Sequence, residues 1–374
     1  MNNWKHFILG ALFLLLGTAC SKNSSKLFSK KAIKAIAIDT SLIQSQNFAI
    51  NFSDTPADSI TLKYLGSGGY FISKGKAALL IDPFFSPYRM FPLALKKIST
   101  QTENVERGLF DIKDKVYSDV DAIFITHSHY DHLLDAPYVF NHYLDTTRKT
   151  TSIYGSSSTK TIASAVVDIS HLTDIDANVG TLTTKGEWIY LNDGSIRVMP
   201  IMTNHAPHYH KLVSISLYGG EAEPIKNYNT DSTKTFVTRW KGGSTFAYLI
   251  DFMKNGKPEF RIYLLSSASS PPDGFIHEET LKEHKVNLAI LGAASFANVE
   301  NYPQGILGHI KPEKLIIAHW EDLFKPYLHD PPRLIRATNF KKLIPQINQV
   351  YPWQNNNEQQ FFMPYPGVFM NLKY

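Results

Sequence analysis

The segment Ile125–Asp135 constrains this chain more than any other part of its sequence. It reads ITHSHYDHLLD and places His127, His129, Asp131 and His132 directly after an apolar run. In an extended chain, side chains two residues apart point to the same side. His127 and His129 can therefore converge on one point, and Asp131 and His132 can face a second point close by. Imidazole nitrogens and carboxylate oxygens are the usual non-thiolate ligands of zinc and its neighbours, so the cluster predicts a metal site.

Two further histidines follow predicted strands elsewhere in the chain. His205 comes after the apolar run 196–201, and His319 comes after the run KLIIA. Loops at strand ends can converge on one site, so both histidines are candidate ligands. His208 and His210 are expected at the periphery of the site or on the surface.

Length and charge exclude some classes of protein. The chain has 374 residues, of which 43% are hydrophobic, and this is enough for one large or two small cores. The formal net charge is +5, with charged residues scattered along the chain. A nucleic-acid-binding protein would gather basic residues in a patch or stripe, so no nucleic-acid partner is expected.

Strand and helix patterns alternate along the chain and indicate an α/β protein. Ile60–Leu65 alternates like a half-buried strand, and Ala77–Asp82 reads as a buried strand. Asn192–Gly194 and Asn255–Gly256 are typical of hairpin turns. Asp135 is expected to be the N-cap of a helix with an early proline.

The N-terminus has the pattern of an export signal. An apolar run at 7–16 follows Lys5, is too short to span a bilayer, and leads to Cys20, the chain's single cysteine. The residues LGTAC resemble a bacterial lipobox, although Leu16 stands one place earlier than usual. We expect a signal peptide at 1–19, a lipidated N-terminus and tether at 20–58, and a catalytic domain at 59–374. Plain secretion, with cleavage after the small residues before Cys20, is the alternative.

The residues THSHYDHLLD match the His-x-His-x-Asp-His signature of metallo-β-lactamase fold hydrolases. LKYLGSGGYFI and ALLIDPFFS resemble the opening strands of one branch. This branch includes the L-ascorbate-6-phosphate lactonase and N-acyl-phosphatidylethanolamine phospholipase D types. The resemblance covers about Thr61 to about Phe324. It implies an α/β fold, a metallo-β-lactamase-like αβ/βα four-layer sandwich with metals at one edge.

The resemblance also implies a ligand set for one or two zinc ions or other divalent metals. Asp82 matches a family aspartate that supports the histidine loop from behind. The two implied sets are His127, His129 and His205 for the first metal, and Asp131, His132 and His319 for the second.

One position departs from the family pattern. Family members usually bridge both metals with an aspartate after a later strand, whereas Ser266 or Ser267 stands at that place here. Three explanations remain open. Asp273 folds back, another acid such as Glu321 or Asp322 substitutes, or only one metal binds tightly.

This ligand chemistry predicts a metal-dependent hydrolase. A metal held by neutral histidines can lower the pKa of its bound water to about 7, and the resulting hydroxide can attack a carbonyl carbon or phosphorus. Asp131 would orient that water and take its proton. The expected substrate is an ester, a lactone or a phosphodiester. A non-catalytic metal- or ligand-binding lipoprotein with a degenerate site is the alternative. A nuclease of the same fold is disfavoured by the scattered charge.

Two segments, 84–111 and 218–243, mix aromatic with basic residues. They are either ordinary loops or a lid for an amphiphilic or anionic substrate, such as a phosphodiester lipid. The expected partners are a small-molecule or lipid-like substrate and a membrane reached through the N-terminal lipid. The expected location is the cell envelope, with a soluble secreted or periplasmic protein as the runner-up.

Overall fold

A computed structural model describes most of the chain beyond the N-terminal segment. The described residues are 43–52, 59–90, 93, 96–113, 120–144, 151–191, 194–207, 222–223, 235–325, 332–335, 338–350 and 361–374. Cys20, the predicted signal peptide, His208 and His210 lie outside these ranges.

The described strands form two large sheets and one small sheet. In chain order the strands are β1 (Ile43–Gln44), β2 (Phe48–Asn51), β3 (Ser59–Gly66), β4 (Gly69–Lys74), β5 (Ala77–Ile81), β6 (Lys97–Ile98), β7 (Val120–Phe124), β8 (Ser152–Gly155), β9 (Leu172–Asp174), β10 (Ile189–Leu191), β11 (Ile196–Thr203), β12 (Thr235–Phe236), β13 (Thr245–Lys254), β14 (Lys257–Leu265), β15 (Leu288–Gly292), β16 (Lys314–Ala318), β17 (Phe361–Pro364) and β18 (Phe369–Lys373). Sheet A has the order β2-β18-β3-β4-β5-β7-β8-β9. Sheet B has the order β1-β17-β16-β15-β14-β13-β11-β10, and β12 pairs with β6. The strand pairs β10–β11 and β13–β14 are antiparallel, as the two predicted hairpins require, and Asn192 and Asp193 lie outside the described residues.

Helices cover the outer face of each sheet. The described α-helices are α1 (Thr102–Lys113), α2 (Tyr130–Leu133), α3 (Ala136–Tyr143), α4 (Ser157–Ala163), α5 (Glu278–Glu283), α6 (Gln304–Ile310) and α7 (Phe340–Val350). Side chains of α1, α3 and α4 share a hydrophobic cluster with one face of sheet A, and those of α6 and α7 share another with sheet B. A third cluster joins the two inner faces. The layers therefore run helix, sheet, sheet, helix, which confirms the predicted α/β sandwich.

The alternation of side chains along buried strands explains this layering. In β5, Leu79 and Ile81 belong to the cluster between the sheets, whereas Ala78 and Leu80 belong to the cluster under the helices. Both faces are apolar because neither reaches water. Removing one such large side chain typically costs about 2–5 kcal/mol.

The predicted boundary between tether and domain lies too late in the chain. β1 pairs in parallel with β17, and β2 pairs in parallel with β18, so residues before 59 contribute to both large sheets. Strands of two and four residues give little local signal, because their pairing partners stand near the opposite end of the chain. The folded part therefore includes 43–52.

Asp135 precedes α3 as expected but does not cap it. Within the described chain its side chain makes no capping bond. Its carboxylate accepts hydrogen bonds from the Phe85 amide (2.6 Å) and the Ser86 hydroxyl (2.7 Å). Asp135 therefore fixes the segment that follows β5 against the helix that follows the histidine cluster. Burial raises the pKa of Asp135 from 3.8 to about 6, although these hydrogen bonds oppose the rise.

This raised pKa predicts a pH-dependent stability. The unfolded chain releases the Asp135 proton near pH 4, whereas the folded protein holds it to about pH 6. The stabilisation is complete below the unfolded pKa and is lost as the pH rises through the folded pKa. Urea unfolding of the wild type and Asp135→Asn at pH 4 and pH 7 measures the effect. We expect the wild type to lose up to about 3 kcal/mol relative to the variant between these values. An unchanged difference would contradict the raised pKa.

Candidate metal centre

Every predicted ligand follows the end of a strand, and these ends meet at one edge of the sandwich. β7 leads into the loop with His127 and His129, β11 leads to His205, and β16 leads to His319. β5 and β7 run parallel with Ile81 opposite Phe124, so their ends coincide at this edge. The Tyr248 hydroxyl of β13 donates to the Ile125 carbonyl (2.6 Å) and ties the start of the histidine loop to sheet B.

The first group consists of His127, His129 and His205. One ring nitrogen from each lies within 4.8 Å of the others. The ring centroids stand 4.7 Å apart for His127 and His129, 4.6 Å for His127 and His205, and 4.5 Å for His129 and His205. His205 Nδ1 lies 2.7 Å from the Ala206 carbonyl oxygen, which can only accept. This contact selects the tautomer in which Nε2 carries a lone pair for a cation.

The second group consists of Asp131, His132 and His319, again with ligand atoms within 4.8 Å of one another. Asp131 Oδ2 lies 3.7 Å from His132 Nε2 and 3.8 Å from His319 Nε2. The groups adjoin each other, because the rings of His127 and His132 have centroids 4.0 Å apart. All three side chains are buried.

Asp82 lies behind the second group, where the resemblance placed it. Its Oδ2 contacts His132 Nδ1 at 2.8 Å, which directs Nε2 of that ring towards Asp131. Asp82 also accepts from the Thr126 amide (2.7 Å) and the Thr126 hydroxyl (2.5 Å). A carboxylate that orients a histidine from behind is the usual outer partner of a metal ligand. Asp82 has a positive φ of 42°, and a Cβ on Gly69 would lie 2.4 Å from its carbonyl oxygen.

The electrostatics of the second group suit a cation. Burial alone would lower the pKa of His132, but Asp82 and Asp131 outweigh this effect and raise that pKa. The same negative potential that favours a proton on the ring favours a metal ion in its place. Six donors of nitrogen and carboxylate type, arranged as two adjoining triads, fit divalent metals such as zinc.

The two serines after β14 point to different partners. Ser267 Oγ accepts from the Ala206 amide (3.0 Å), beside His205. Ser266 Oγ donates to the Thr126 hydroxyl (2.8 Å), which is bonded to Asp82. Ser267 therefore lies towards the metal groups, and Ser266 belongs to the support behind them.

The three acids considered as replacements for the bridge do not join either group among the described residues. Asp273 accepts from the Asn204 side chain. Glu321 accepts from the Tyr64 hydroxyl and the Ser67 amide. Asp322 is buried, and its Oδ1 accepts from the Phe324 amide. Weaker binding of one metal is the explanation that this arrangement favours.

We therefore expect unequal metal binding, with one tight equivalent at the first group and a weaker one at the second. Ser267→Asp would keep an acceptor for the Ala206 amide and add an anionic oxygen, and it should tighten the second equivalent about tenfold or more. Ser266→Asp is the control, because it places a carboxylate beside the Thr126–Asp82 pair and loses the donated hydrogen bond. Calorimetric titration of metal into stripped protein distinguishes them. Two equally tight equivalents in the wild type would refute the idea.

Described parts of the segments 84–111 and 218–243 meet each other next to this centre. β6 lies in the first segment and β12 in the second, and they pair antiparallel. Beyond β12, the Gly242 carbonyl accepts from the Ser128 amide (2.9 Å). A Cβ on Gly242 would lie 3.2 Å from His129 Nε2, so this position suits glycine. We call the part formed by 96–98 and 235–243 the cap.

Sequence reasoning missed several residues that shape the centre. Thr126, Gly242 and Tyr64 contact the histidine loops or their supports, yet none of them carries an imidazole or a carboxylate. The glycine pair in WKGGST was the available signal for a close approach of backbone. Tyr64 had none, because its partner stands 255 residues away.

Part of the chain matches a known family. Residues 69–160 match the family model described as metallo-beta-lactamase superfamily. Comparison with curated protein sequences gives no match. Within the described residues, no helix is both long and apolar enough to cross a membrane.

Several solved structures are distantly similar to this chain. Igni18, a novel metallo hydrolase from Ignicoccus hospitalis, is 14% identical over 84% of this chain and 99% of its own, with a TM-score of 0.46. The metallo-beta-lactamase fold protein YhfI from Bacillus subtilis is 12% identical over 83% and 98%, with a TM-score of 0.43. An isothiocyanate hydrolase from Delia radicum gut bacteria is 11% identical over 84% and 100%, with a TM-score of 0.46.

Proposed function

We propose that this protein is a metal-dependent hydrolase of the metallo-β-lactamase superfamily, acting on an ester, lactone or phosphodiester. The observation that carries the proposal is the pair of adjoining triads at one edge of the sandwich. Four of their residues belong to the sequence signature, and the family match covers the loop that supplies these four.

The side chains divide the work between binding and proton transfer. His127, His129 and His205 would hold one divalent metal, and Asp131, His132 and His319 a second. When bound, the metals supply Lewis acidity, which polarises the scissile group and lowers the pKa of a water molecule. Asp131 would orient that water and accept its proton, and its carboxylate oxygen lies 3.7 Å from His132 Nε2 and 3.8 Å from His319 Nε2. Asp82 holds His132 in the tautomer that presents Nε2.

Zinc is the metal we propose, in one or two copies. Five imidazoles and one carboxylate match the nitrogen-rich sets that zinc prefers, although imidazole also suits other first-row metals. Metal analysis of the purified full chain tests this choice directly.

For the substrate we propose an amphiphilic or anionic molecule, in line with the lactonase and phospholipase branch. The cap supports this proposal, because it places exposed Phe236 next to Lys97, whose Nζ lies 5.4 Å from the ring centroid. Exposed Arg239 also lies in the cap, where it pairs with Glu223 (3.1 Å). An aromatic ring with a cation beside it on the cap suits a substrate with an apolar part and a negative charge.

The experiment that tests the function is a screen of metal-loaded protein against ester, lactone and phosphodiester substrates. The expected result is turnover of one class that a chelator abolishes and added zinc restores. Metal binding without turnover of any class would favour the alternative, a binding protein with a degenerate site. The serine at position 267, in place of a bridging carboxylate, is the observation that favours this alternative.

We also propose that the protein is a lipoprotein of the cell envelope, because the apolar run before Cys20 ends in LGTAC. Cys20→Ala should move the protein from the membrane to the soluble fraction and abolish labelling by a fatty-acid probe. Fractionation and acyl labelling in the native host measure this outcome. A wild-type protein without attached lipid would instead support plain secretion.

A further inference from the structure

A buried chain of hydrogen bonds runs behind His319. The His319 amide donates to the Tyr64 hydroxyl (2.7 Å), and that hydroxyl donates to Glu321 Oε2 (2.6 Å). Glu321 Oε1 accepts from the Ser67 amide (2.6 Å). Tyr64, Ser67 and Glu321 are almost completely shielded from solvent. The carboxylate therefore links the loop after β16 in sheet B to the turn between β3 and β4 in sheet A.

The residues at both ends of this hydrogen-bond chain, His319 and Ser67, have an unusual backbone conformation. His319 has a φ of 50°, and Ser67 also has a φ of 50°. Residues with a side chain rarely adopt this left-handed conformation unless their surroundings hold them there. The hydrogen bonds from both amides to the Tyr64–Glu321 pair supply such a restraint.

The hydroxyl of Tyr64 accepts one hydrogen bond of this series and donates the next. The His319 amide can only donate, so the Tyr64 oxygen accepts from it. The single phenol proton of Tyr64 is then donated to Glu321 Oε2. A phenylalanine at this position could make neither bond.

The turn at the other end lies close to the second group. A Cβ on Gly68 would lie 3.1 Å from the Ser266 Cβ and 4.0 Å from His132 Cε1. Glu321 is thus linked to His319 through Tyr64, and it also binds the amide of Ser67 in the turn beside His132. Both oxygens of Glu321 are engaged in these bonds, which leaves it in a supporting place and not among the ligand atoms of the group.

We propose that Glu321 is a positioning residue, which acts through Tyr64 to hold His319 in the geometry needed by the second metal. The inference rests on the proposed metal-dependent hydrolase. It goes beyond that function because it assigns a role to two residues outside the ligand set. Loss of the hydrogen bonds of Tyr64 and Glu321 should free the His319 loop while leaving His127, His129 and His205 in place.

The test is metal titration of the full chain after chelation, by calorimetry with Zn²⁺ and by the visible absorption of Co²⁺. We compare Glu321→Gln, Tyr64→Phe and the double variant with the wild type. Tyr70→Phe is the matched control. Tyr70 is equally buried and lies 5.0 Å from the Tyr64 ring, yet among the described residues its hydroxyl has no hydrogen-bond partner.

In each single variant we expect the second equivalent to bind about 10- to 100-fold more weakly, as is typical when a partner behind a metal ligand is lost. The first equivalent should be unchanged, and the Co²⁺ spectrum should change only in the part that saturates second. The double variant should resemble the single variants, because the two residues act in series. Tyr70→Phe should bind both metals as the wild type does.

Wild-type affinity for the second equivalent in Tyr64→Phe would overturn the proposal. Equal weakening of both equivalents would also overturn it, since it would indicate a general loss of structure. If Glu321→Gln does not fold, Tyr64→Phe tests the proposal by itself, because it removes only a single oxygen atom. A wild type that binds both metals but hydrolyses no substrate would count against the proposed function alone, because this role is measured from metal binding.

Discussion

Replacing either His127 or His205 by alanine is expected to remove nearly all hydrolytic activity together with the metal of the first group. Each histidine supplies one of only three side-chain donors in that group, with ring centroids 4.6 Å apart. Loss of a mere outer partner costs 10- to 100-fold in metal affinity or activity, so loss of a direct ligand should cost at least about 10³-fold. The protein should still fold, because the sheets are built from other residues.

Metal content by mass spectrometry and turnover of the substrate found in the screen provide the measurement. His142→Ala is the control, since His142 is exposed on α3 and belongs to neither group among the described residues. Circular dichroism of each variant checks the fold. Normal metal content in His127→Ala or His205→Ala would refute the assignment of the first group.

Asp131→Asn should have the second-largest effect on activity. Unlike the histidine variants, it should lower kcat while the first metal stays bound. Asparagine has almost the same shape, but it cannot accept a proton and carries no charge. A general base typically contributes 10²- to 10⁴-fold to a rate, so kcat should fall by about this amount while the first metal remains bound. The second metal should be weakened as well, because Asp131 is the single carboxylate in its group.

The appropriate control is Asp135→Asn, which makes the same change at a buried aspartate of the same loop region outside the metal groups. Steady-state kinetics separates kcat from KM, and metal analysis follows both equivalents. Loss of both metals in Asp131→Asn would show that this residue serves chiefly to bind. Unchanged kcat would exclude it as the base.

The fold class and the location of the centre could be predicted because their signals are local. The spacing within THSHYDH and the apolar runs before His205 and His319 are properties of short segments, and the structure brings all these side chains to one edge. Asp82 could be placed only through resemblance, because its contacts with Thr126 and His132 span 44 and 50 residues.

Other features depend on partners far away in the chain. Asp135 looked like a helix cap, but its carboxylate binds the segment 49 to 50 residues earlier. The Tyr64–Glu321 bond joins residues 257 positions apart, and nothing in either neighbourhood indicates it. The pairing of β6 with β12 likewise could not be read from two mixed aromatic and basic segments.

Each triad draws its members from both sheets. His127 and His129 follow a strand of sheet A and His205 follows one of sheet B, and the second triad likewise takes His319 from sheet B. A metal ion in either triad would therefore cross-link the two halves of the sandwich, much as a disulfide would. A metal present at 100 times its dissociation constant would stabilise the folded state by about 2.7 kcal/mol. Metal starvation would then reduce the catalytic rate and also the abundance of the folded protein. The abundance would fall because the unliganded chain would be more exposed to proteolysis.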